Sequence, residues 1–338
     1  MRAIVQSRYG GPEALALTEL DRPTPAVDEV LVRVRAAAVN AADWHVMRGD
    51  PYIARLMAPQ VFGRRGPKRP VRGRDFAGTV EAVGPGATDL PVGAEVYGDL
   101  GLADGAFAEY AVVPVSRVAR KPENLTFEQA AAVPLSGSTA LLGLRDLAKV
   151  RPGQSVLING ASGGVGTFAV QIAKALGAEV TGVCSPRNAD QLRSLGADHV
   201  VDYTREDFTR TEARYDVLFD LVGNRRLRDL RRVVKPGGTS LLSGGGSSTG
   251  GSVFGPIGRL IAAQATGRFV PQRLVPMTGE PAIAEHLAEL RELIEAGRVR
   301  PAVDRTYPLE QAPEAIRYLE TEHARAKVVI TIAEAPAA

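Results

Sequence analysis

Cysteine is almost absent: Cys184 stands alone among 338 residues. No intramolecular disulfide can form, and no cysteine-based zinc cluster can be assembled. Its place inside an apolar, strand-like run predicts a buried structural thiol rather than a nucleophile. Lysine is scarce as well, at six residues, so arginine supplies nearly all of the 41 basic side chains. No apolar run approaches the roughly 18–20 residues that cross a bilayer. Met1-Arg2-Ala3-Ile4-Val5 passes straight into a strand-like pattern, so no secretory leader is expected and a cytoplasmic location is. Net charge is only +3. The densest basic run, Arg64-Arg65-Gly66-Pro67-Lys68-Arg69-Pro70-Val71-Arg72-Gly73-Arg74, has no interleaved aromatic residue on which bases could stack. It reads as a solvated Gly/Pro loop rather than a nucleic-acid patch. Neither a membrane nor a nucleic acid is expected as a partner.

What the chain does have is Val156-Leu157-Ile158-Asn159-Gly160-Ala161-Ser162-Gly163-Gly164-Val165-Gly166, followed by a helical pattern to Gly177. A short apolar strand enters a glycine turn and a helix leaves it. Such a turn presents backbone N–H groups and a helix N-terminus to a pyrophosphate, where side chains would obstruct the approach. The spacing is not a strict G-x-G-x-x-G, but a second apolar strand at Glu179–Cys184 completes the βαβ frame the motif requires.

The length suggests about two domains. The first segment alternates short strands and turns: a hairpin of Ala3–Gln6 with Ala16–Glu19, then Glu29–Ala38, Gly78–Val83, Glu95–Gly98 and Ala108–Val113. Many strands without helices between them argue for a barrel-like unit. Past Asn124 a helix opens near an N-cap at Thr126, and another follows Pro134. From Gln154 strands and helices alternate, which means a parallel sheet. Its strands are Ser155–Asn159, Glu179–Cys184, His199–Asp202, Val217–Val222 and Thr239–Leu242, with helices at 165–176, 188–195 and 224–234. The Gly/Ser stretch 243–252 lies at the carboxyl end of a parallel strand and is placed as a lid near the cofactor. A strand at Arg268–Met277, a helix at Pro281–Ala296 and a strand at Lys327–Ile332 close the chain.

This organisation resembles the medium-chain dehydrogenase/reductase superfamily over essentially the whole chain. The markers are Ala161-Ser162-Gly163-Gly164-Val165-Gly166, Leu195-Gly196-Ala197-Asp198-His199-Val200-Val201-Asp202-Tyr203 and Gly105-Ala106-Phe107-Ala108-Glu109-Tyr110. They are most similar to the zinc-independent, zeta-crystallin-like quinone oxidoreductase branch. The resemblance implies an α/β fold in which a GroES-like β-barrel domain joins a Rossmann doubly wound parallel-sheet domain. The expected division is 1–124 for the first part of the barrel, 125–265 for the NADPH-binding unit, and 266–338 for a return segment completing the first. It also implies a homodimer and an active site in the interdomain cleft. Zinc enzymes of the superfamily place Cys and His ligands where this chain reads Val39-Asn40-Ala41-Ala42-Asp43 and Gly73-Arg74-Asp75. A third ligand region reads Pro134-Leu135-Ser136-Gly137-Ser138-Thr139. No metal site is therefore expected.

The cofactor follows from the end of the second parallel strand, Cys184-Ser185-Pro186-Arg187-Asn188. An NAD-selective fold carries a carboxylate there. A hydroxyl and a guanidinium suit a 2′-phosphate instead, so NADPH is expected, with Ser185 and Arg187 at its phosphate. The cofactor candidates also include Ala161, Ser162, Gly163, Gly164, Val165 and Gly166 in the turn, and Leu242, Ser243 and Gly244 at the end of the fifth parallel strand. The resemblance adds Tyr203 and Lys174 near the phosphate and Lys327 as a further cofactor contact. It carries Asn40 and Thr139 into the cleft, where the Asn40 amide would meet a substrate carbonyl or a ribose hydroxyl and Thr139 competes with a capping role. Tyr52 matches a substrate-lining tyrosine that donates a proton, and His45 stands where a second would be. Arg74 is expected to fill the empty ligand space by pairing with Asp43 or Asp75. The function implied is NADPH-dependent reduction of a quinone or an α,β-unsaturated carbonyl. The alternatives are an enoyl reductase acting on a biosynthetic or thioester intermediate, and a non-catalytic NADPH-binding or RNA-binding crystallin-like protein.

Overall fold

The computed structural model of the chain describes residues 1–87, 90–243, 253–277, 282–322 and 324–333. The N-terminal strands β1 (Arg2–Gln6) and β2 (Leu15–Glu19) pair antiparallel as expected. A mixed sheet then gathers β3 (Glu29–Val39), β4 (Asp75–Val83), β5 (Glu95–Asp99), β6 (Tyr110–Pro114) and β7 (Val118–Arg120). Helices α1 (Ala41–Arg48) and α2 (Ala54–Met57) interrupt it between β3 and β4. β3 alternates over residues 32–35, where Val32 and Val34 are buried while Arg33 and Arg35 are half-buried. That period of two points one face at the core built by Phe76, Phe107 and Ile4.

Two helices then lead to the second sheet. α3 (Phe127–Ala131) starts where expected, because Thr126 and Gln129 form a reciprocal capping box. α4 (Pro134–Leu141) follows. The second sheet is parallel throughout: β8 (Ser155–Asn159), β9 (Glu179–Cys184), β10 (His199–Asp202), β11 (Tyr215–Asp220), β12 (Val234–Leu242) and β13 (Arg273–Pro276). Their spatial order is β10-β9-β8-β11-β12-β13, so the order reverses between β8 and β11. The helices between them are α5 (Gly164–Ala175), α6 (Ala189–Ser194), α7 (Leu227–Arg232) and α8 (Gly255–Thr266).

Alternate residues of this sheet enter different cores. Val156, Ile158, Phe219 and Leu241 face one hydrophobic cluster, whereas Leu157, Leu218 and Leu242 face another. A sheet that buries both faces reads as continuous apolar runs, as these strands do. The chain is therefore a strand-rich, mainly antiparallel unit joined to a doubly wound parallel sheet.

Several elements differ from expectation. α8 occupies a stretch with no expected element, between the expected lid, whose residues 244–252 lie outside the described residues, and the strand expected at Arg268–Met277. Its Gly and Pro content conceals a helix that packs on β13 and buries Ala263. β13 lies past residue 265, yet it joins the parallel sheet through β12. After α9 (Ile283–Glu295), two unforeseen elements appear, β14 (Val303–Pro308) and α10 (Ala312–Thr321). β14 is a half-exposed edge strand that depends on its parallel partner β15 (Lys327–Thr331). β15 in turn pairs antiparallel with β3, returning the chain to the first sheet.

Candidate active site

The glycine turn sits at the carboxyl end of β8, beside the point where the strand order reverses. Open parallel sheets bind ligands at such a crevice. Gly160 has φ +86°, and a Cβ on Gly166 would lie 2.2 Å from the Gly160 carbonyl oxygen. Only glycine tolerates that approach of turn to helix. Gly163 is the N-cap of α5, and a Cβ there would meet only the Gly160 oxygen, at 3.4 Å. The turn thus leaves open space before a 12-residue helix, and its cradle fits a dinucleotide pyrophosphate.

Three contacts tie the turn to its surroundings. Asn188 donates from Nδ2 to Ser162 Oγ at 3.0 Å. Ala326 N–H donates to Ser162 O at 3.0 Å, and Gly163 and Ala326 form a parallel bridge. The entry to β15 is thereby locked against the turn. Val165 is half-buried at the start of α5, packed against the core, and Ala161 is buried beneath the turn. Sequence reasoning missed Asn188 as an organiser, although an Asn in the turn after the second strand is a local signal for such a role.

Ser185, Arg187 and Tyr203 cluster where β9 and β10 end. Cys184 and Asp202 are in register, and Tyr203 N–H donates to Cys184 O at 3.2 Å. Ser185 is half-buried, whereas Arg187 and Tyr203 are exposed. Lys174 is not with them. It lies near the far end of α5, paired with Asp198 at 2.8 Å. Cys184 is buried as expected, and that burial pushes its thiol up to about 11.

On the other side of the crevice, the carboxyl ends of β8 and β11 meet. Asn159 Nδ2 donates to Asp220 Oδ1 at 2.7 Å, and Asp220 is fully buried. Arg259 of α8 pairs with the second oxygen of Asp220. This link, not foreseen from the sequence, pins α8 across the sheet. Leu242 is buried, and Ser243 N–H donates to Asp220 O at 3.1 Å. Gly244 lies outside the described residues.

The two sheets meet at Lys327. A Cβ on Gly164 would lie 3.1 Å from Lys327 Cδ and 3.3 Å from Ser136 Oγ. From this junction the ammonium donates to Asn40 Oδ1 at 2.5 Å and to Asp75 Oδ2 at 3.2 Å. Asn40 Nδ2 donates to Asp75 Oδ2 at 3.0 Å and to Ala38 O at 3.2 Å. Asp75 Oδ1 accepts from Leu135 N–H at 3.0 Å. Burial pushes the Asp75 carboxyl above the usual range, against the pull of the Lys327 charge. Both amide protons of Asn40 are engaged, so toward a ligand its side chain can present only Oδ1, which Lys327 already contacts. Thr139 does not cap α4, because it is the sixth residue of that helix. It stands three positions after Ser136, on the same side of the helix.

The segment after β3 carries the remaining candidates. His45 stacks on Trp44 with centroids 3.7 Å apart and has Nδ1 3.1 Å from Asp50 O. Burial lowers its pKa, favouring a neutral ring. Tyr52 is half-exposed beneath the Arg55 guanidinium, 4.8 Å from its ring centroid. Ile53 N–H donates to Val253 O at 3.1 Å, bringing this loop to the start of α8.

The basic run behaves in two ways. Arg64, Arg65, Lys68 and Arg69 are exposed as expected, but Arg72 is only 1% exposed. It pairs with buried Asp104 at 2.7 Å. Arg74 grips neither Asp43 nor Asp75. It donates to both carboxylate oxygens of Asp99, at 3.0 and 2.9 Å. Asp43 accepts from Asn40 N–H at 2.7 Å. Burial, reinforced by the Asp104 charge, pushes Asp43 up to about 7.

The model of the alcohol dehydrogenase GroES-like domain matches residues 26–123, and that of the zinc-binding dehydrogenase family matches residues 195–330. The NADPH-dependent alkenal/one oxidoreductase of Arabidopsis thaliana is 33% identical, over 98% of this chain and 79% of that protein. The quinone oxidoreductase of Coxiella burnetii superposes with a TM-score of 0.84 at 29% identity, covering 98% of this chain and 99% of that one. The chain belongs to the medium-chain dehydrogenase/reductase superfamily, in its quinone oxidoreductase branch. Polyketide synthase GfsB of Streptomyces halstedii is 36% identical over 90% of this chain, which spans 5% of that protein's length.

Within this oxidoreductase family a zinc ion is one inherited option, and the donor set here does not fit it. The positions of its ligands hold an amide already engaged by Lys327 and Asp75, and a guanidinium spent on Asp99. Among the described residues, no group of three or more His, Cys, Asp or Glu side chains could hold a metal.

Proposed function

We propose that the chain is a zinc-independent, NADPH-dependent reductase of a conjugated carbonyl, either a quinone or an α,β-unsaturated ketone. The observation that carries this reading is Lys327, which contacts both the glycine turn and the Asn40–Asp75 pair at the base of the crevice. When bound, NADPH supplies the hydride. Residues 161–166 would hold its pyrophosphate, and Ser185, Arg187 and Tyr203 its 2′-phosphate. Leu242 and Ser243 would line the nicotinamide side, and Gly244, outside the described residues, stays a cofactor candidate from the sequence. Asn40, oriented by Lys327, would accept from a ribose hydroxyl rather than donate to the acceptor. Thr139 would border the same space. The acceptor is electron-poor and needs little acid assistance. Tyr52, half-exposed at the loop, would pass a proton to its oxygen, whereas His45, kept neutral by burial with Nδ1 on the Asp50 carbonyl, would hold the loop in place rather than donate.

A homodimer, which rests on the family resemblance, and a cytoplasmic location belong to the same reading. Among the described residues, no helix is long and apolar enough to cross a membrane. The similarity to a segment of a polyketide synthase favours a second reading, an enoyl reductase acting on a thioester. NADPH oxidation with quinones, enones, enoyl thioesters and saturated alcohols, with and without a chelator, separates the two. Chelator-resistant turnover of quinones or enones is expected. Turnover of thioesters alone favours the second reading, and tight NADPH binding without turnover of any acceptor overturns both.

A further inference from the structure

Beside the loop that carries Tyr52, apolar side chains stand in the open. On α2, Leu56 is 83% exposed and Met57 64% exposed. The Ile53–Val253 hydrogen bond brings Val253 and Phe254 to the same region, and both are more than half exposed. Next in the chain, Phe62 and Pro67 close a small antiparallel bridge. Its tip and outgoing arm expose Arg64, Arg65, Lys68 and Arg69. None of these four cations forms an ion pair among the described residues. The hairpin has a defined shape, because Tyr9 Oη donates to Gly63 O at 2.9 Å and Lys68 N–H donates to Val61 O at 2.9 Å.

We propose that this face docks on an anionic lipid surface. Leu56, Met57 and Phe254 would enter the acyl boundary, and the four cations would meet headgroup phosphates. Cations alone would suit a nucleic acid, but the exposed neighbours are mainly aliphatic and the hairpin tip offers no stacking ring. A surface apolar beneath and negatively charged above complements both features at once. The expectation of no membrane partner rested on the absence of long apolar runs, and a peripheral contact requires none. The proposal does not depend on the catalytic reading.

Cosedimentation of the full chain with vesicles tests it. Binding to mixed phosphatidylcholine and phosphatidylglycerol vesicles should exceed binding to pure phosphatidylcholine by about tenfold or more and weaken with salt. Replacing Arg64, Arg65, Lys68 and Arg69 together by Ala should cost about tenfold or more in affinity for the mixed vesicles. Leu56→Ser/Met57→Ser should weaken binding even at low salt, with the unfolding midpoint of both variants unchanged. Absence of wild-type binding at low salt overturns the proposal, as do equal affinity for the two vesicle types and binding unaltered in both variants. A salt-sensitive shift of RNA, lost in the fourfold variant while vesicles go unbound, assigns the face to nucleic acid instead.

Discussion

Lys327 Nζ lies 3.2 Å from Asp75 Oδ2, and neither side chain is more than 3% exposed. The pair fastens β15 to β4 directly beneath the glycine turn, so a fault here should reach both stability and cofactor binding. Removing one partner of a buried ion pair costs about 3–5 kcal/mol. Lys327→Ala is expected to lose that much in denaturant unfolding and to weaken NADPH binding. Lys327→Met/Asp75→Asn removes both charges and should recover part of the stability. A loss below about 1 kcal/mol for the single variant would contradict a stabilising pair.

Asp43 supplies a pH dependence. Its carboxyl is raised from 3.8 to about 7 in the folded chain, so the folded state holds a proton that the unfolded state releases. Its contribution to stability is therefore fully present below pH 4 and fades as pH rises to about 7. Asp43→Asn keeps an acceptor for Asn40 N–H and cannot titrate. Wild type measured against this variant should lose a few kcal/mol of relative stability between pH 4 and 7. Parallel stability curves for the two proteins would show that Asp43 does not hold that proton.

Cofactor selectivity should rest on Arg187. A charge-assisted hydrogen bond contributes about 1.5–3 kcal/mol. Arg187→Ala is thus expected to raise the NADPH KM by roughly 10- to 100-fold and leave the NADH KM nearly unchanged. An unaltered NADPH KM would remove Arg187 from the phosphate site.

The glycine turn offers a steric test. Gly166→Ala would bring a methyl group to 2.2 Å from the Gly160 oxygen and 2.6 Å from the Ala161 carbonyl carbon. Both are backbone atoms, so the turn itself must move. A destabilisation of about 1–3 kcal/mol is expected, together with a loss of NADPH binding larger than the stability change explains. Calorimetric titration of NADPH into the variant measures this, and unchanged affinity would separate the turn from the cofactor.

Local chemistry alone determined a large part of this protein. Residues 156–166 specify strand, turn and helix because apolar period, glycine and helix propensity agree there. Thr126 and Gln129 announce a helix start by capping, and Cys184 declares its burial by its apolar neighbours. Other features exist only through partners distant in the chain. β14 is a strand because β15 lies beside it, and α8 is a helix because β13 and the core under Ala263 receive it. Arg72 reads like its exposed neighbours and Arg74 like a partner for Asp43 or Asp75, yet Asp104 and Asp99 compensate their charges and allow one to be fully buried and the other largely so. Lys174 sits on the helix that the glycine turn opens, but its place one residue before the end of that 12-residue helix carries it away from the turn and into the reach of Asp198. The same distinction separates Asn40 as a candidate from Asn40 as a group whose two amide protons are both engaged. Residue type supplied an amide after a buried strand, whereas Lys327 and Asp75, 287 and 35 positions away, decided which of its atoms remain available.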